Sequence, residues 1–294
     1  MIDFFAGIFG YVLNFIYEIF KNYGLAIILF SILVKLIMIP LSISQQKSMK
    51  KSVKIQEKTR EIQEKYKNDQ AKINQEVMEL YKKENMSPFS GCLTAILQIV
   101  LLFSIFYLVR SPLTHMIKLD PQVIENYVTE VKEESAENGD KISYPEIAVI
   151  KSAREKLKDE ELDKEKKAEY EKIAINMDFL GLDLTNVPTQ DMSNPTVFVI
   201  PVLYVISSFI SIRISNNMNK KKTEGKEEEK ADADPMANAS KSMMWFMPIM
   251  SISIAIIAPL GLALYWLVSN ILMIVERLIM DKLIKDEEEV ERNA

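Results

Sequence analysis

The chain has 294 residues, 26% of them charged, with a net charge of -5, and its near-zero mean hydropathy taken alone would suit a soluble protein. The average hides a segregation of apolar residues into long runs and charged residues into others, which a soluble domain would not show. A single cysteine, Cys92, excludes a disulfide framework and a multi-cysteine metal site, and a single histidine, His115, excludes a two-histidine zinc motif.

The first twenty residues of the segment 1–23 are apolar but carry no basic leader and no small-residue cleavage pattern, which argues against a signal peptide. At about 100° per residue, Asp3, Asn14, Glu18 and Lys21 fall within an arc of roughly 60°. Ile2, Phe5, Phe9, Leu13, Ile16 and Phe20 occupy the rest of the wheel. The pattern predicts an amphipathic helix lying in the membrane interface, not a further span.

Five runs read as spans: 24–42, 91–109, 195–215, 243–258 and 261–280. A helix needs roughly 20 apolar residues to cross a hydrocarbon core about 30 Å thick. The fourth run is short, covering only about 24 Å at about 1.5 Å per residue, and Pro259-Leu260-Gly261 then reverses the chain.

Between the first two spans, residues 43–90 read as a helical hairpin. Ile55, Thr59, Ile62 and Tyr66 form one stripe, Asn68-Asp69 supplies a turn, and Ile73, Val77, Leu80 and Tyr81 form a second stripe. The exposed faces stay basic and suit anionic lipid, ribosomal RNA or plain solvent alike. Tyr66 and Tyr81 belong to the apolar stripes and leave the basic faces without aromatic residues for base stacking, so no sequence-specific nucleic-acid site is expected. Lys47, Lys50, Lys51, Lys54 and Lys58 here, with Lys220, Lys221 and Lys222 in the loop 216–242, put both loops in the cytoplasm by the positive-inside rule. The N-terminus is then outside, and the acidic tail 281–294 is inside. Residues 110–194 become an external insert, charged and helix-permissive, with a turn at Asn138-Gly139 and a helix opening at Pro145. Within the second loop, Thr223 to Ala239 has no apolar stripe and reads as disordered.

Lys35 lies about 16 Å from the outer end of the first span, near mid-membrane. A cation there costs from roughly 3 to more than 10 kcal/mol, so it is expected to face protein or water. The plain alternative is a stem that snorkels toward the cytoplasm. Against it, Lys35 is about two turns short of Ser42, and its helical face also carries Ser31. Other spans bear polar stripes: Thr94 and Gln98; Tyr204, Ser207, Ser208 and Ser211; Trp266, Ser269 and Asn270. Singly, each stripe could be helix-to-helix glue. Together with Lys35 they suggest a shared hydrophilic cavity. No Asp or Glu lies deep in any span, which disfavours an ion-coupled transporter, and the spans contain neither the Asp pair nor the His of an intramembrane protease. Met236, Met243, Met244, Met247 and Met250 cluster around the fourth span, where such side chains suit either a core or a surface that accepts many sequences.

A set of motifs follows in order along the chain: Asn22-Tyr23-Gly24, Lys35 through Leu41, Gln45 through Lys51, Ile62 through Asn68, and Leu80-Tyr81-Lys82. Pro88, Gly91-Cys92-Leu93 and Gln98 follow, then Leu264-Tyr265-Trp266 and Asn270. In this order and spacing the chain resembles the YidC family of membrane protein insertases, related to the mitochondrial Oxa and chloroplast Alb proteins. The resemblance implies five spans around a hydrophilic groove open to cytoplasm and lipid and closed to the outside, with a basic residue of the first span inside. Lys35 falls where that residue, usually Arg, is expected; Gln98, Ser207, Ser208 and Trp266 fall near polar groove positions. Lys for Arg loses the planar fork for bidentate carboxylate recognition but keeps the charge. Ser87 and Thr94 stand where Asn and Pro are common, and Ile99-Val100 lacks the family's usual proline.

The expectation is an all-α integral membrane protein in the bacterial plasma membrane, with an interfacial N-terminal helix and a cytoplasmic hairpin. It would be no enzyme and would hold no cofactor or metal. It would act on nascent membrane proteins and the lipid bilayer, with the Sec translocon and ribosome as partners implied by the resemblance. Its groove would be lined by Lys35, Ser31, Gln98, Ser207, Ser208, Trp266 and Asn270. The residues alone leave open a small-anion channel or uncoupled transporter that uses Lys35 as its selectivity charge, and a methionine-rich assembly scaffold.

Overall fold

Helix α8 (Val199–Thr223) is inside out by the standards of a water-soluble protein. Val199, Val202, Leu203, Ile206, Phe209 and Ile210 form an exposed stripe, whereas Tyr204, Ser207, Ser208 and Ser211 are buried. Hydrocarbon solvates Leu and Ile as well as a protein interior does, while a hydroxyl in it needs a partner, so polar side chains turn toward neighbouring helices. Helix α9 (Leu260–Asn293) repeats the reversal, with Asn270 buried and Ile271, Val275, Leu278 and Ile279 exposed.

The structure is a computed structural model that describes residues 1–67, 69–84, 90–138, 142–223, 253 and 255–293. Among these the chain is mostly helical, as the segregation of its sequence implies. Four helical segments are long and apolar enough to cross a membrane: Ile2–Phe20, Tyr23–Gln45, Pro195–Ile214 and Leu260–Met280; Ile96–Arg110 is a shorter apolar helix. Most of the expected fourth span, with its methionines, and residues 224–242 of the expected second loop lie outside the described residues. The chain divides into two compact units, one of Met1–Ile2 and Val34–Ser104, the other of Asp3–Leu33 and Ile105–Ala294.

The smaller unit holds a helical hairpin. Helix α2 (Tyr23–Lys65) runs unbroken for 43 residues, through the expected boundary at Ser42 and past Pro40, which has no N–H to give the Leu36 carbonyl. Helix α3 (Gln70–Lys83) starts at Asp69, whose carboxylate accepts from the Lys72 N–H at 2.9 Å. Ile55 and Ile73, one from each predicted stripe, are buried. Across the hairpin Lys58 pairs with Glu84, and the Tyr66 hydroxyl donates to Glu76 at 3.4 Å. Helix α4 (Ser90–Arg110) follows.

In the larger unit, helix α1 (Ile2–Phe20) buries Ala6, Gly10, Leu13 and Tyr17 along one line. On its other side Phe4, Tyr11, Phe15 and Ile19 are exposed. Gly10 is required sterically, because a Cβ there would lie 1.8 Å from the His115 carbonyl oxygen. His115 belongs to a π-helical turn, Leu113–Ile117. The insert then forms α5 (Pro121–Asn138), α6 (Pro145–Lys156) and α7 (Lys164–Glu171). Pro145 occupies the first turn of α6, where its missing N–H costs nothing. A short antiparallel hairpin closes the insert, β1 (Asp178–Phe179) on β2 (Leu182–Asp183), pairing Asp178 with Asp183 and Phe179 with Leu182. A 3-10 turn, Pro195–Phe198, leads into α8.

This insert stitches helix ends together. Asn22 caps α2 by accepting from the Leu25 N–H at 3.0 Å, while its side-chain amide donates to the Asp178 carbonyl at 2.7 Å. The Tyr23 N–H donates to the Asn176 carbonyl at 2.9 Å. The Asn176 N–H donates to the Tyr17 hydroxyl oxygen at 2.9 Å, and its side-chain amide to the Lys21 carbonyl at 3.0 Å. At α9, the N–H groups of Leu260 and Gly261 donate to the Asn186 and Leu184 carbonyls at 2.9 and 3.0 Å. Helix N-termini leave such donors without intrahelical partners, and here the insert supplies the acceptors.

Candidate functional site

Of the candidate residues, Ser207, Ser208 and Asn270 come together where α8 packs on α9. The Asn270 amide donates to Ser207 Oγ at 2.9 Å and to Ser208 Oγ at 3.1 Å, and Ser207 Oγ donates onward to the Tyr204 carbonyl at 2.8 Å. An amide nitrogen carries two hydrogens, so Asn270 serves both serines at once. All three residues are buried. One turn earlier on α9, half-buried Trp266 stacks at a tilt on Tyr204, ring centroids 6.5 Å apart. Helix period explains the grouping: Tyr204, Ser207, Ser208 and Ser211 share one face of α8, and Trp266 and Asn270 share one face of α9.

Ser31 is buried on α2, and its hydroxyl donates to the Ile27 carbonyl at 2.7 Å. Lys35 lies one turn further along α2 and is half-buried; Gln98 on α4 is exposed. Both belong to the smaller unit, whereas Ser31, Ser207, Ser208, Trp266 and Asn270 belong to the larger.

The larger unit also contains polar groups that the sequence did not single out. Glu146 is buried, accepting from the Thr114 N–H at 3.0 Å and the Thr114 hydroxyl at 2.6 Å. Arg154 bridges Asp178 and Asp183, the two ends of the β-hairpin. Burial would raise the Asp183 pKa, but hydrogen bonds from Thr185 and the Arg154 guanidinium outweigh it and hold the carboxyl below its ordinary value. The His115 pKa is lowered, chiefly by burial, with Glu146 and Asp3 pulling the other way. For Lys156, partial burial is overcome by bonds to Glu130 and Glu134, which raise its pKa. No periodicity marks these residues, and only Glu146 sits where helices favour an acid, in the first turn of α6. Glu146, Arg154 and Lys156 act through long-range contacts, which a linear pattern does not encode.

A family model described as 60Kd inner membrane protein matches residues 15–288, a stretch that includes every candidate residue. The chain belongs to that family. As a member of the 60Kd inner membrane protein family it is a multi-pass membrane protein, in keeping with its inverted helix polarity. It is 27% identical over 277 residues to the "Membrane protein insertase YidC" of Chlorobaculum tepidum, an alignment covering 94% of this chain and 36% of that protein. It is 45% identical over 100 residues to a protein of the same description from Chlorobaculum parvum, covering 34% of this chain and 17% of that one. With the one from Syntrophus aciditrophicus it shares 46% identity over 94 residues, covering 32% of this chain and 17% of that protein. The chain thus spans about a third of the length of the Chlorobaculum tepidum relative.

Proposed function

We propose that this protein is an insertase that moves nascent hydrophobic segments from the cytoplasm into the bilayer. The single observation that carries the reading is a cationic side chain, Lys35, half-buried on an otherwise apolar span of a 60Kd inner membrane protein family member. A positive charge in a medium of low dielectric attracts the acidic or polar flank of an incoming segment. Desolvation offsets most of that attraction, so the flank is released again and does not stay bound. The hydrophobic stretch then partitions into lipid, which drives the step without a nucleotide. Lys35, Ser31, Gln98, Ser207, Ser208, Trp266 and Asn270 are the residues that would receive the flank; the basic hairpin of α2 and α3 would meet substrate, Sec translocon or ribosome on the cytoplasmic side. In this reading the N-terminus is outside and the C-terminus cytoplasmic, and no chemical step is catalysed.

The test is site-specific photocrosslinking from Val34 and Met38, which flank Lys35 on α2, to ribosome-bound nascent chains in vesicles carrying the full chain. Crosslinks are expected while the nascent segment is entering and are lost once it is released into lipid. If the vesicles instead conduct small anions and no nascent chain crosslinks, the insertase reading gives way to an anion pathway.

A further inference from the structure

The β-hairpin that closes the insert has an unusual tip. Its two-residue loop is Leu180-Gly181, with φ of 50° at Leu180 and 79° at Gly181. Two successive positive φ values are the geometry of the tightest hairpin turns, for which Asn-Gly or Asp-Gly is the favoured pair, because a bulky side chain in the left-handed region meets its own backbone. Here the first position is a leucine, and it is 86% exposed. In water that choice gains nothing: the side chain neither packs nor helps the turn. A lone exposed leucine would need no explanation, but one at a position that disfavours it does.

The location of the hairpin supplies the reason. Its base is bonded to the start of a membrane-crossing segment: the Asn22 amide to the Asp178 carbonyl, the Tyr23 N–H to the Asn176 carbonyl, and the Asn176 amide to the Lys21 carbonyl. The Phe179 ring lies over Gly24, where a Cβ would meet it at 2.4 Å. Tyr23 opens the span Tyr23–Gln45, so the hairpin is held at the level where that span leaves the hydrocarbon. The neighbouring end of α1 is apolar and exposed too, at Ile19 and Phe20. The carboxylates flanking the tip, Asp178 and Asp183, are both paired with Arg154, which offsets one of their two negative charges.

We propose that the 178–183 hairpin is an interfacial anchor whose tip, Leu180, enters the border of the lipid leaflet at the Tyr23 end of α2. The occupant of this surface is the bilayer itself, continuous with the lipid already surrounding the span. The anchor fixes the depth at which the insert sits on the membrane. The leucine occupies a position that favours Asn because its role is contact with acyl chains.

The test uses the full chain with Cys92→Ser and Leu180→Cys, labelled with an environment-sensitive fluorophore, in vesicles of phosphatidylcholine and phosphatidylglycerol at low protein density. Lys158→Cys, exposed on the insert, is the aqueous control. The Leu180 label should emit to the blue of the control, be quenched by lipids carrying a nitroxide near the ester group, and resist aqueous iodide. Iodide quenching equal to the control overturns the proposal. So does protection that appears only as protein density rises, which would mark a contact between copies. As a second measurement, Leu180→Asn, a better turn residue, should speed amide exchange over 178–183 in vesicles by about tenfold, and Leu180→Met should restore it. Exchange unchanged in Leu180→Asn would make Leu180 a turn residue only and sink the anchor.

Discussion

The side-chain amide of Asn270 donates to the Ser207 hydroxyl at 2.9 Å, joining two helices that turn apolar stripes outward, Ile206, Phe209 and Ile210 on one and Ile271, Val275 and Leu278 on the other. Such bonds in lipid hold helices in register more than they add stability, because separated helices also find partners for their polar groups. Asn270→Ala should therefore cost only about 1 kcal/mol. Ser207 already has the Tyr204 carbonyl as an acceptor and keeps it. Reversible unfolding in mixed micelles measures the cost; a loss several times larger would mean that Asn270 supports more than the α8–α9 contact.

Two glycines on α1 give a sharper contrast. A Cβ at Gly10 would meet the His115 carbonyl oxygen at 1.8 Å, and one at Gly7 would meet nothing within 4 Å. Gly10→Ala must push α1 away from backbone that cannot yield, an overpacking penalty of about 1–3 kcal/mol. Gly7→Ala, in the same helix, should be neutral or stabilising by up to about 1 kcal/mol through helix propensity. Melting of the two variants side by side decides it, and equal melting temperatures would refute the close packing of α1 on the Leu113–Ile117 turn.

For Lys35 the charge, more than the shape, should matter. Lys35→Arg is expected to retain insertion of test substrates, Lys35→Ala to lower it by roughly tenfold, and Lys35→Glu to lower it further for acidic-flanked segments, a factor of ten corresponding to about 1.4 kcal/mol. Depletion complementation together with insertion of a single-span protein reads this out. Full activity in both Lys35→Ala and Lys35→Glu would eliminate charge capture.

Acid should loosen the insert in two steps. The His115 pKa is lowered by burial, so the fold favours the neutral ring. That contribution is complete above the unfolded value of about 6.5 and is lost as pH falls through the folded one. The Asp183 carboxyl, held low by Thr185 and Arg154, contributes above about 3.9 and loses its part as pH falls through its own folded value. Amide exchange near His115 should accelerate below about pH 6, while residues 178–185 hold until below about pH 4. A single simultaneous transition would show that neither group is responsible.

What was legible in the sequence follows from the solvent. In lipid, apolar side chains face out and polar ones face in, so the stripe Tyr204, Ser207, Ser208, Ser211 marked the inner face of α8 before any neighbour was known. Periodicity gives rotation but not partners, and the reach of Asn270 to two serines on α8 needed coordinates. The continuity of α2 across Ser42 was hidden because composition changes at the membrane border there, whereas Lys, Gln and Glu are good helix formers and carry the helix on to Lys65, close to the end that the stripe through Tyr66 marks. The insert looked merely charged. Its core stripe on α6, Ile147, Ile150 and Ala153, has helical spacing, but Asn176, which ties α1 to α2, is one polar side chain without a pattern around it.

The Asn176 contacts have a consequence for how this protein is made. The bond from Asn176 to Tyr17 closes over a sequence separation of 159 residues, and that from Asn22 to Asp178 over 156. At synthesis rates of about 5–20 residues per second, α1 and the start of α2 wait about 8–30 s before their partners exist. Throughout that interval the Tyr23 N–H lacks its eventual acceptor, and the Tyr17 hydroxyl lacks its bond from Asn176. The N-terminal helices of this chain must therefore rest on lipid, or on another protein, until the insert has been made and has folded back onto them.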